Sequence, residues 1–298
     1  MRVNLGEADV SLVVRAMLAI SQIESAVKTF WGKIHNRLPK PEIAKVGATF
    51  AESEVRHEDA YSNLIEIMGL NSEFAGLMNV PAMRKRIKYL EKVNQNNSSP
   101  DPRDYFESII LFSMFIENVS LFSQFLVIMS FNKHDGALKG MSNAVEATSK
   151  EENLHAMFGF DIVNIIKDEN PHWWTDDLVD YIKEITYEAR DAELEVIEWM
   201  YENGDSDNAP MDVTIAYMDK RLNESLVAIG IDPIFEENAE LLKEVEWFEE
   251  ELELTKNLDF FNKRSTAYSK MTKPITVEDI VREGTPVYEE VMNKKKQQ

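Results

Sequence analysis

Two short segments of the chain place a glutamate three residues before a histidine. In FAESEVRHEDAY the pair is Glu54 and His57, and in SKEENLHAMF it is Glu152 and His155. On a helix, this spacing puts a carboxylate and an imidazole on one face, one turn apart. Both groups can then bind the same metal ion.

Glu-x-x-His is a weak pattern by itself, because glutamate is common in this chain. The pattern occurs a third time, at Glu169 and His172, in a proline-containing segment that we interpret as a surface turn. For either of the other two pairs, a buried ion pair is the alternative interpretation. The helical context must therefore decide between metal site and ion pair.

Both pairs lie on the core-facing side of a predicted helix, where apolar positions recur every three or four residues. The first face, on a helix predicted at about residues 41–69, consists of Ile43, Val46, Phe50, Glu54, His57, Tyr61, Leu64 and Met68; the second consists of Met141, Val145, Thr148, Glu152, His155, Gly159, Ile162 and Ile166. A charged group on such a face is costly unless it is paired or binds a metal.

Two further glutamates, Glu24 and Glu117, satisfy the same test. Glu24 shares a face with Met17, Ile20, Val27, Trp31 and Ile34, and Glu117 shares one with Phe106, Ile110, Ser113, Leu121, Gln124 and Ile128. Four helices thus bury one glutamate each, and two of them add a histidine, as in the dimetal site of ferritin-like bundles. Four carboxylates neutralise two divalent cations, whereas four unrelated buried glutamates would be costly.

Composition narrows the classes of function. A net charge of -21 argues against a nucleic-acid surface, and the absence of cysteine leaves carboxylates and imidazoles as metal ligands. The beginning of the chain shows no signal-peptide pattern, which favours a cytoplasmic protein. The apolar segment 108–131 could be considered as a membrane span, but Glu117 and Asn118 lie at its centre. We therefore expect a buried core helix and no membrane contact.

Helical periodicity dominates the chain, and proline and glycine fall mainly in short connectors. After about residue 270 the periodicity is lost. We predict an all-α fold, with a ferritin-like helical bundle and its buried dimetal-carboxylate site at residues 1–271. Residues 272–298 are predicted to form a flexible C-terminal tail.

The order of the six predicted ligands resembles that of the small, radical-generating subunit of class I ribonucleotide reductase. The resemblance extends from about residue 10 to residue 270 and includes LDFFNKRSTAYSK, which is similar to the family's last core helix. It implies an oxidoreductase subunit whose dimetal centre generates and stores an oxidant. That oxidant initiates the reduction of ribonucleotides to deoxyribonucleotides in a separate catalytic (large) subunit. The resemblance also implies a homodimer.

The resemblance assigns roles to four more residues. Tyr61 follows His57 by four residues, where the family places its radical tyrosine, and Phe125 falls where it keeps an apolar wall. Glu151 occupies the position of an aspartate that hydrogen-bonds to a ligand histidine. Tyr288 lies in the tail that docks on the catalytic subunit and relays the radical. Alternatively, Tyr61 is an ordinary core tyrosine, Glu151 is a surface charge, and Tyr288 is an ordinary residue of the tail.

Three positions depart from the family pattern. Glu24 stands where much of the family has aspartate. Lys28 lies one turn further on, close to the same helix face, where its amine could reach Tyr61. The pair of Glu24 and Lys28 resembles a dimanganese subgroup of the family. Glu151 replaces the usual aspartate, and no tryptophan precedes Glu24. We expect two metal ions per chain, with dimanganese favoured and diiron or a mixed manganese/iron pair possible. We also expect the metal pair to hold the oxidant and Tyr61 to be a spectator.

Two other functions are compatible with a dimetal bundle. A ligand-binding or substrate oxidase of the same fold would need an apolar channel to the metals. A ferritin-type storage protein would be much shorter and would need no tyrosine-bearing tail. Complex formation with a catalytic reductase chain would separate the first interpretation from both.

Overall fold

A computed structural model of the chain describes residues 5–27 and 30–253, and within these ranges it contains α-helices and no β-strand. The α-helices are α1 (Glu7–Val27), α2 (Phe30–Lys33), α3 (Pro41–Met68), α4 (Asn71–Gly76), α5 (Pro81–Asn94), α6 (Pro102–Leu111), α7 (Phe122–Asp135), α8 (Lys139–Glu169), α9 (Asp176–Met200), α10 (Met211–Ala228), α11 (Ala239–Lys243) and α12 (Glu246–Glu253). The all-α prediction is confirmed. The predicted boundary at residue 271 and the predicted tail lie outside the described residues.

Proline and glycine set the ends of the long helix α3. Pro41 occupies the first turn, where its missing N–H removes no helical hydrogen bond. At the other end Gly69 adopts a φ of 73°, and the Leu70 N–H donates to the Ile65 carbonyl over 2.9 Å. Between these signals α3 continues for 28 residues and presents two of the predicted ligands on one face.

Helices α1, α3, α7 and α8, which contain or flank the predicted ligands, pack against one another. Helix α1 contacts α3 and α7, and α8 contacts both α7 and α3. Helices α9 and α10 pack against this group, and α5 packs against α9. Helices α1, α3, α7 and α8 each have buried apolar residues, and these residues meet in one core.

The apolar segment 108–131 is buried, but it is not the single helix that the sequence predicts. Helix α6 ends at Leu111, a π-helical turn follows at Phe112–Ile116, and α7 begins only at Phe122. We call residues 112–121 the helix break. Among the described residues, no helix has the length and apolar character needed to cross a membrane.

Candidate metal centre

The structure brings the six predicted ligands together in the core. Helix α1 contributes Glu24, α3 and α8 each contribute a glutamate and a histidine one turn apart, and the helix break contributes Glu117. Each of the six residues is at most 3% exposed. The surface interpretation of the third Glu-x-x-His match is also confirmed, because His172 is exposed in a short turn after α8.

The cluster consists of two overlapping groups of possible metal ligands. Glu24, Glu54, His57 and Glu152 form the Glu24 half, and Glu54, Glu117, Glu152 and His155 form the Glu117 half. Within each half, one ligand atom per residue lies within 4.8 Å of every other. Glu54 and Glu152 belong to both halves and are therefore placed to bridge two ions.

Both histidines point Nδ1 into the cluster. His155 Nδ1 lies 3.0 Å from Glu54, 3.1 Å from Glu152 and 3.3 Å from Glu117. His57 Nδ1 lies 2.8 Å from Glu152. One nitrogen cannot satisfy three carboxylates with a single proton, whereas a cation between them can bind all four groups.

The outer nitrogen of each histidine has a partner of its own. His57 Nε2 lies 2.7 Å from Glu151, and His155 Nε2 lies 3.0 Å from the Ser53 hydroxyl. Ser53 already donates its proton to the Phe50 carbonyl over 2.8 Å, so it accepts from His155. Both rings then carry the proton on Nε2, which leaves the Nδ1 lone pair free for a metal.

Several polar atoms of the cluster make no hydrogen bond of regular geometry with the described residues, although some lie close to a neighbouring ligand. They include both oxygens of Glu24 and Glu54, one oxygen each of Glu117 and Glu152, and Nδ1 of His57. Buried carboxylates without partners are costly, and a pair of divalent cations would satisfy them. The donor set therefore fits a carboxylate-bridged metal pair.

Burial strongly affects the protonation of the cluster. It raises the pKa of Glu24 and of Glu117 well above the ordinary value, and the charge of Glu152 raises both further. Burial lowers the pKa of His57, but contacts with Glu151 and Glu152 outweigh this effect and raise it to about 10. Without a cation the cluster retains protons near neutral pH, and metal binding must release them.

Two contacts that position Glu117 were not predicted from the sequence. The Trp31 indole N–H donates to one Glu117 oxygen over 2.9 Å, and Trp31 is fully buried. On α8, a Cβ at Gly159 would lie 2.2 Å from the Ser113 hydroxyl, so only glycine lets the helix break approach α8 this closely. In the sequence, the one indication of these contacts was that Trp31 shares a helix face with Glu24.

Tyr61 lies beside the Glu24 half. Its side chain is 1% exposed, and its hydroxyl makes no hydrogen bond of normal geometry with the described residues. Burial and the charge of Glu24 raise the pKa of Tyr61, an effect that the nearby Thr148 hydroxyl opposes. Phe125 is buried in α7. The predicted roles of Lys28 and Tyr288 fall on residues outside those that the structure describes.

These features define a class of protein, the helical bundle with a buried carboxylate and histidine cluster suited to two metals. The family model described as ribonucleotide reductase, small chain, matches residues 2–241, which is more than half of the chain. The chain therefore belongs to the ribonucleotide reductase small chain family. The ribonucleoside-diphosphate reductase subunit beta of Chlamydia pneumoniae is 24% identical over 245 residues, covering 79% of this chain and 69% of that protein.

Two solved structures share the fold. The dimanganese(II) NrdF of Streptococcus sanguinis is 16% identical with a TM-score of 0.68, over 80% of this chain and 82% of that one. A variant of an R2-like ligand-binding oxidase with a Mn/Fe cofactor is 17% identical with a TM-score of 0.63, over 76% and 82%. The fold alone therefore does not separate a reductase subunit from an oxidase.

Proposed function

We propose that this chain is the small subunit of a ribonucleoside-diphosphate reductase, active only with a catalytic subunit that reduces ribonucleotides to deoxyribonucleotides. The observation that carries the proposal is the buried cluster of four carboxylates and two imidazoles, with Tyr61 beside Glu24, in a chain of this family. The cluster lies in the core, so the small subunit supplies an oxidant and the partner supplies the nucleotide site.

The Glu24 half would hold one ion and the Glu117 half the other, with Glu54 and Glu152 shared between them. When bound, the metal pair supplies the one-electron oxidant that starts the reaction in the catalytic subunit. The side chains of this chain would orient the ligands of the metal pair and exclude water from it. Glu151 and Ser53 hold the two imidazole rings through Nε2, and the surrounding apolar residues exclude water.

For the metals we propose manganese at both positions, with diiron or mixed manganese/iron as the alternatives. All four carboxylates of the cluster are glutamates, whose longer side chains can change between bridging and chelating modes. Manganese is also named for both structural relatives described above, as a manganese pair in one and with iron in the other. Reconstitution with each metal, followed by metal analysis and an activity assay, tests this choice.

We further propose that Tyr61 is a spectator and that the metal pair holds the oxidant. Oxidising a tyrosine requires loss of its proton, and burial together with Glu24 makes that loss unfavourable. Electron paramagnetic resonance of the reconstituted protein and turnover of Tyr61→Phe provide the test. Turnover should survive in Tyr61→Phe, whereas a tyrosyl radical together with an inactive variant would restore Tyr61 as the radical carrier.

The partners proposed are a second copy of this chain and the catalytic subunit, with residues 272–298 as the docking tail and Tyr288 as its relay. These residues lie outside the described part of the chain, and the proposal rests on the family resemblance. Deletion of residues 274–298 should abolish turnover with the catalytic subunit and leave metal content unchanged. Turnover by the truncated protein would overturn the tail assignment.

A ligand-binding oxidase is the second candidate, because a cavity reaches the cluster. It is lined by Ser21, Glu24, Glu58, Tyr61, Ser62, Ile65, Asn71 and Phe74 and has a volume of about 210 Å³. Pockets that enclose organic ligands typically measure about 300–1,000 Å³ and are mainly apolar. The cavity is smaller and has a polar end at Glu24, which favours the reductase over an oxidase of large apolar ligands.

The decisive assay combines the metal-loaded chain with the catalytic reductase subunit of the same organism and a ribonucleoside diphosphate. Deoxyribonucleotide should form only when both chains are present, and native mass spectrometry should detect their complex. A metal-loaded chain that neither binds the catalytic subunit nor supports turnover would contradict the reductase proposal. An organic ligand extracted from the purified protein would then identify it as an oxidase.

A further inference from the structure

The helix break leaves main-chain carbonyls without their helical partners. In a regular α-helix the Phe122 N–H would donate to Asn118, but here it donates to the Val119 carbonyl over 3.2 Å. Within the π turn the Glu117 N–H donates five residues back, to Phe112, over 3.2 Å. A buried carbonyl without a donor is unfavourable, so side chains from other helices must supply the missing donors.

Helix α10 supplies donors on one side of the break. Arg221 Nε donates to the Asn118 carbonyl over 2.9 Å, and its Nη2 donates to the Asn118 side-chain oxygen over 2.5 Å. One turn later, the Ser225 hydroxyl accepts from the Asn118 side-chain amide over 2.8 Å, and its own proton is shared between the Met114 carbonyl at 3.1 Å and the Arg221 carbonyl at 3.0 Å. Arg221 is only 4% exposed, and its guanidinium lies 3.8 Å from the centroid of the Phe122 ring.

Helix α5 supplies donors on the other side. Arg86 is fully buried, and its Nη2 donates to the Ser120 carbonyl. Nη1 of the same residue donates to the Ala19 carbonyl of α1 over 3.0 Å, and Nε donates to Glu193 of α9 over 3.0 Å. Ser120 also donates from its hydroxyl to Glu193 over 2.8 Å. Arg86 therefore connects the break to two other helices, and Glu193 balances its charge.

We propose that Arg86 and Arg221 are positioning residues that fix the helix break so that Glu117 points into the Glu117 half of the cluster. The two anchored carbonyls, of Asn118 and Ser120, belong to the residues one and three positions after Glu117. Only arginine offers several donors in a rigid planar fork, which lets one side chain anchor a carbonyl and a second element together. This inference rests on the metal site of the proposed function.

Two variants test the role of Arg221. Arg221→Met keeps most of the side-chain volume and removes every side-chain donor of Arg221 to Asn118. Ser225→Ala removes one hydroxyl, which contacts the Met114 carbonyl and the Asn118 amide, and is the milder change. The measurement is manganese binding by isothermal titration, with melting temperature recorded for each protein. We expect one of the two ions to bind at least about ten-fold more weakly in Arg221→Met, with a smaller loss in Ser225→Ala, while the other ion keeps its affinity.

Arg190→Met provides a matched control for general destabilisation. Arg190 on α9 pairs with Asp219 on α10 over 2.6 Å but has no bond to the helix break. If Arg190→Met lowers the melting temperature as much as Arg221→Met does, it should still bind both manganese ions with the parent affinity. Arg221→Lys should recover part of the manganese affinity that Arg221→Met loses. Unchanged binding in Arg221→Met, or equal weakening of both ions, would overturn the positioning role. A parent protein that binds no manganese would instead contradict the metal site itself.

Discussion

The two halves of the cluster share Glu54 and Glu152 but differ in how they are enclosed. The Glu24 half borders the cavity of about 210 Å³, and both oxygens of Glu24 lack a partner among the described residues. Its histidine is anchored by Glu151, whose side chain is 36% exposed. This half is buried, but its outer partner Glu151 reaches solvent, and few contacts restrict the Glu24 carboxylate.

In the Glu117 half, aromatic side chains and a buried hydroxyl contact the two ligands that are not shared. Glu117 accepts from Trp31, and the ring of His155 lies 4.1 Å from that of Phe50, centroid to centroid. The anchor of His155 is Ser53, which is only 5% exposed. Two similar sets of donors are thus embedded in different surroundings. The surroundings, more than the ligand types, decide which half can adjust and which is held rigid.

The largest predicted effect is the loss of one metal ion when the histidine of either half is removed. His155→Ala removes the nitrogen donor of the Glu117 half, and His57→Ala removes that of the Glu24 half. Each variant should retain about one of two manganese ions per chain, because the shared carboxylates still serve the other half. Emission spectrometry after gel filtration measures the content.

The matched control for these variants is His172→Ala. This exposed histidine has the same Glu-x-x-His spacing but lies in a surface turn after the end of α8, so the variant should keep both ions. Full metal content in His57→Ala and His155→Ala would contradict the assignment of both halves.

A smaller effect is predicted for Glu151, which orients His57 from outside the cluster. Glu151→Ala should weaken the ion of the Glu24 half by about 10- to 100-fold, the range typical of such outer partners. Glu52→Ala is the control, because Glu52 also pairs with Arg56 but is exposed and does not touch His57. Equal affinities in Glu151→Ala and Glu52→Ala would show that Glu151 is only a surface charge.

Rigidity of the Glu117 half can be tested with two glycines of α8. Gly159→Ala would force a Cβ against Ser113 and should destabilise the protein by about 1–3 kcal/mol. Gly140→Ala, in the first turn of α8, meets open space and should change stability by less than about 0.5 kcal/mol. Chemical denaturation of the metal-free proteins measures both. If Gly159→Ala is as stable as the parent, the close approach of the break to α8 is not required.

The smallest predicted effect is the pH dependence of metal stabilisation. The pKa values of Glu24, Glu117 and His57 are raised in the folded protein, so the metal-free fold is stabilised by their protons and loses this stability as pH rises. The gain in melting temperature on adding manganese should therefore be larger at about pH 8 than at about pH 5.5. A gain that is equal at both pH values, or larger in acid, would contradict these protonation states.

Helical spacing placed the four clustered residues of α3 and α8, because each of these helices has one exposed and one buried side, whereas Glu117 stood out only as a charge within a continuous apolar run. For Glu54 and His57 the buried positions of α3 alternate with exposed ones such as Glu52 and Asp59, so the core-facing line is visible in the sequence. The order of the ligands then led to the family. These parts of the prediction depend on local spacing.

The helix break could not be predicted in the same way. Residues 108–131 are buried on all sides, so hydrophobic periodicity carries no information about where α6 stops and α7 begins. The contacts of Trp31, Ser53, Arg86 and Arg221 join residues far apart in the chain, and one sequence does not reveal such pairs. The π turn follows from those contacts and not from any proline or glycine within the break.

The most direct test of the account is anomalous diffraction from manganese-loaded crystals. We predict two anomalous peaks per chain, one between Glu24, His57 and the two shared carboxylates, and one between Glu117, His155 and the same carboxylates. A single peak, or none among these six side chains, would contradict it.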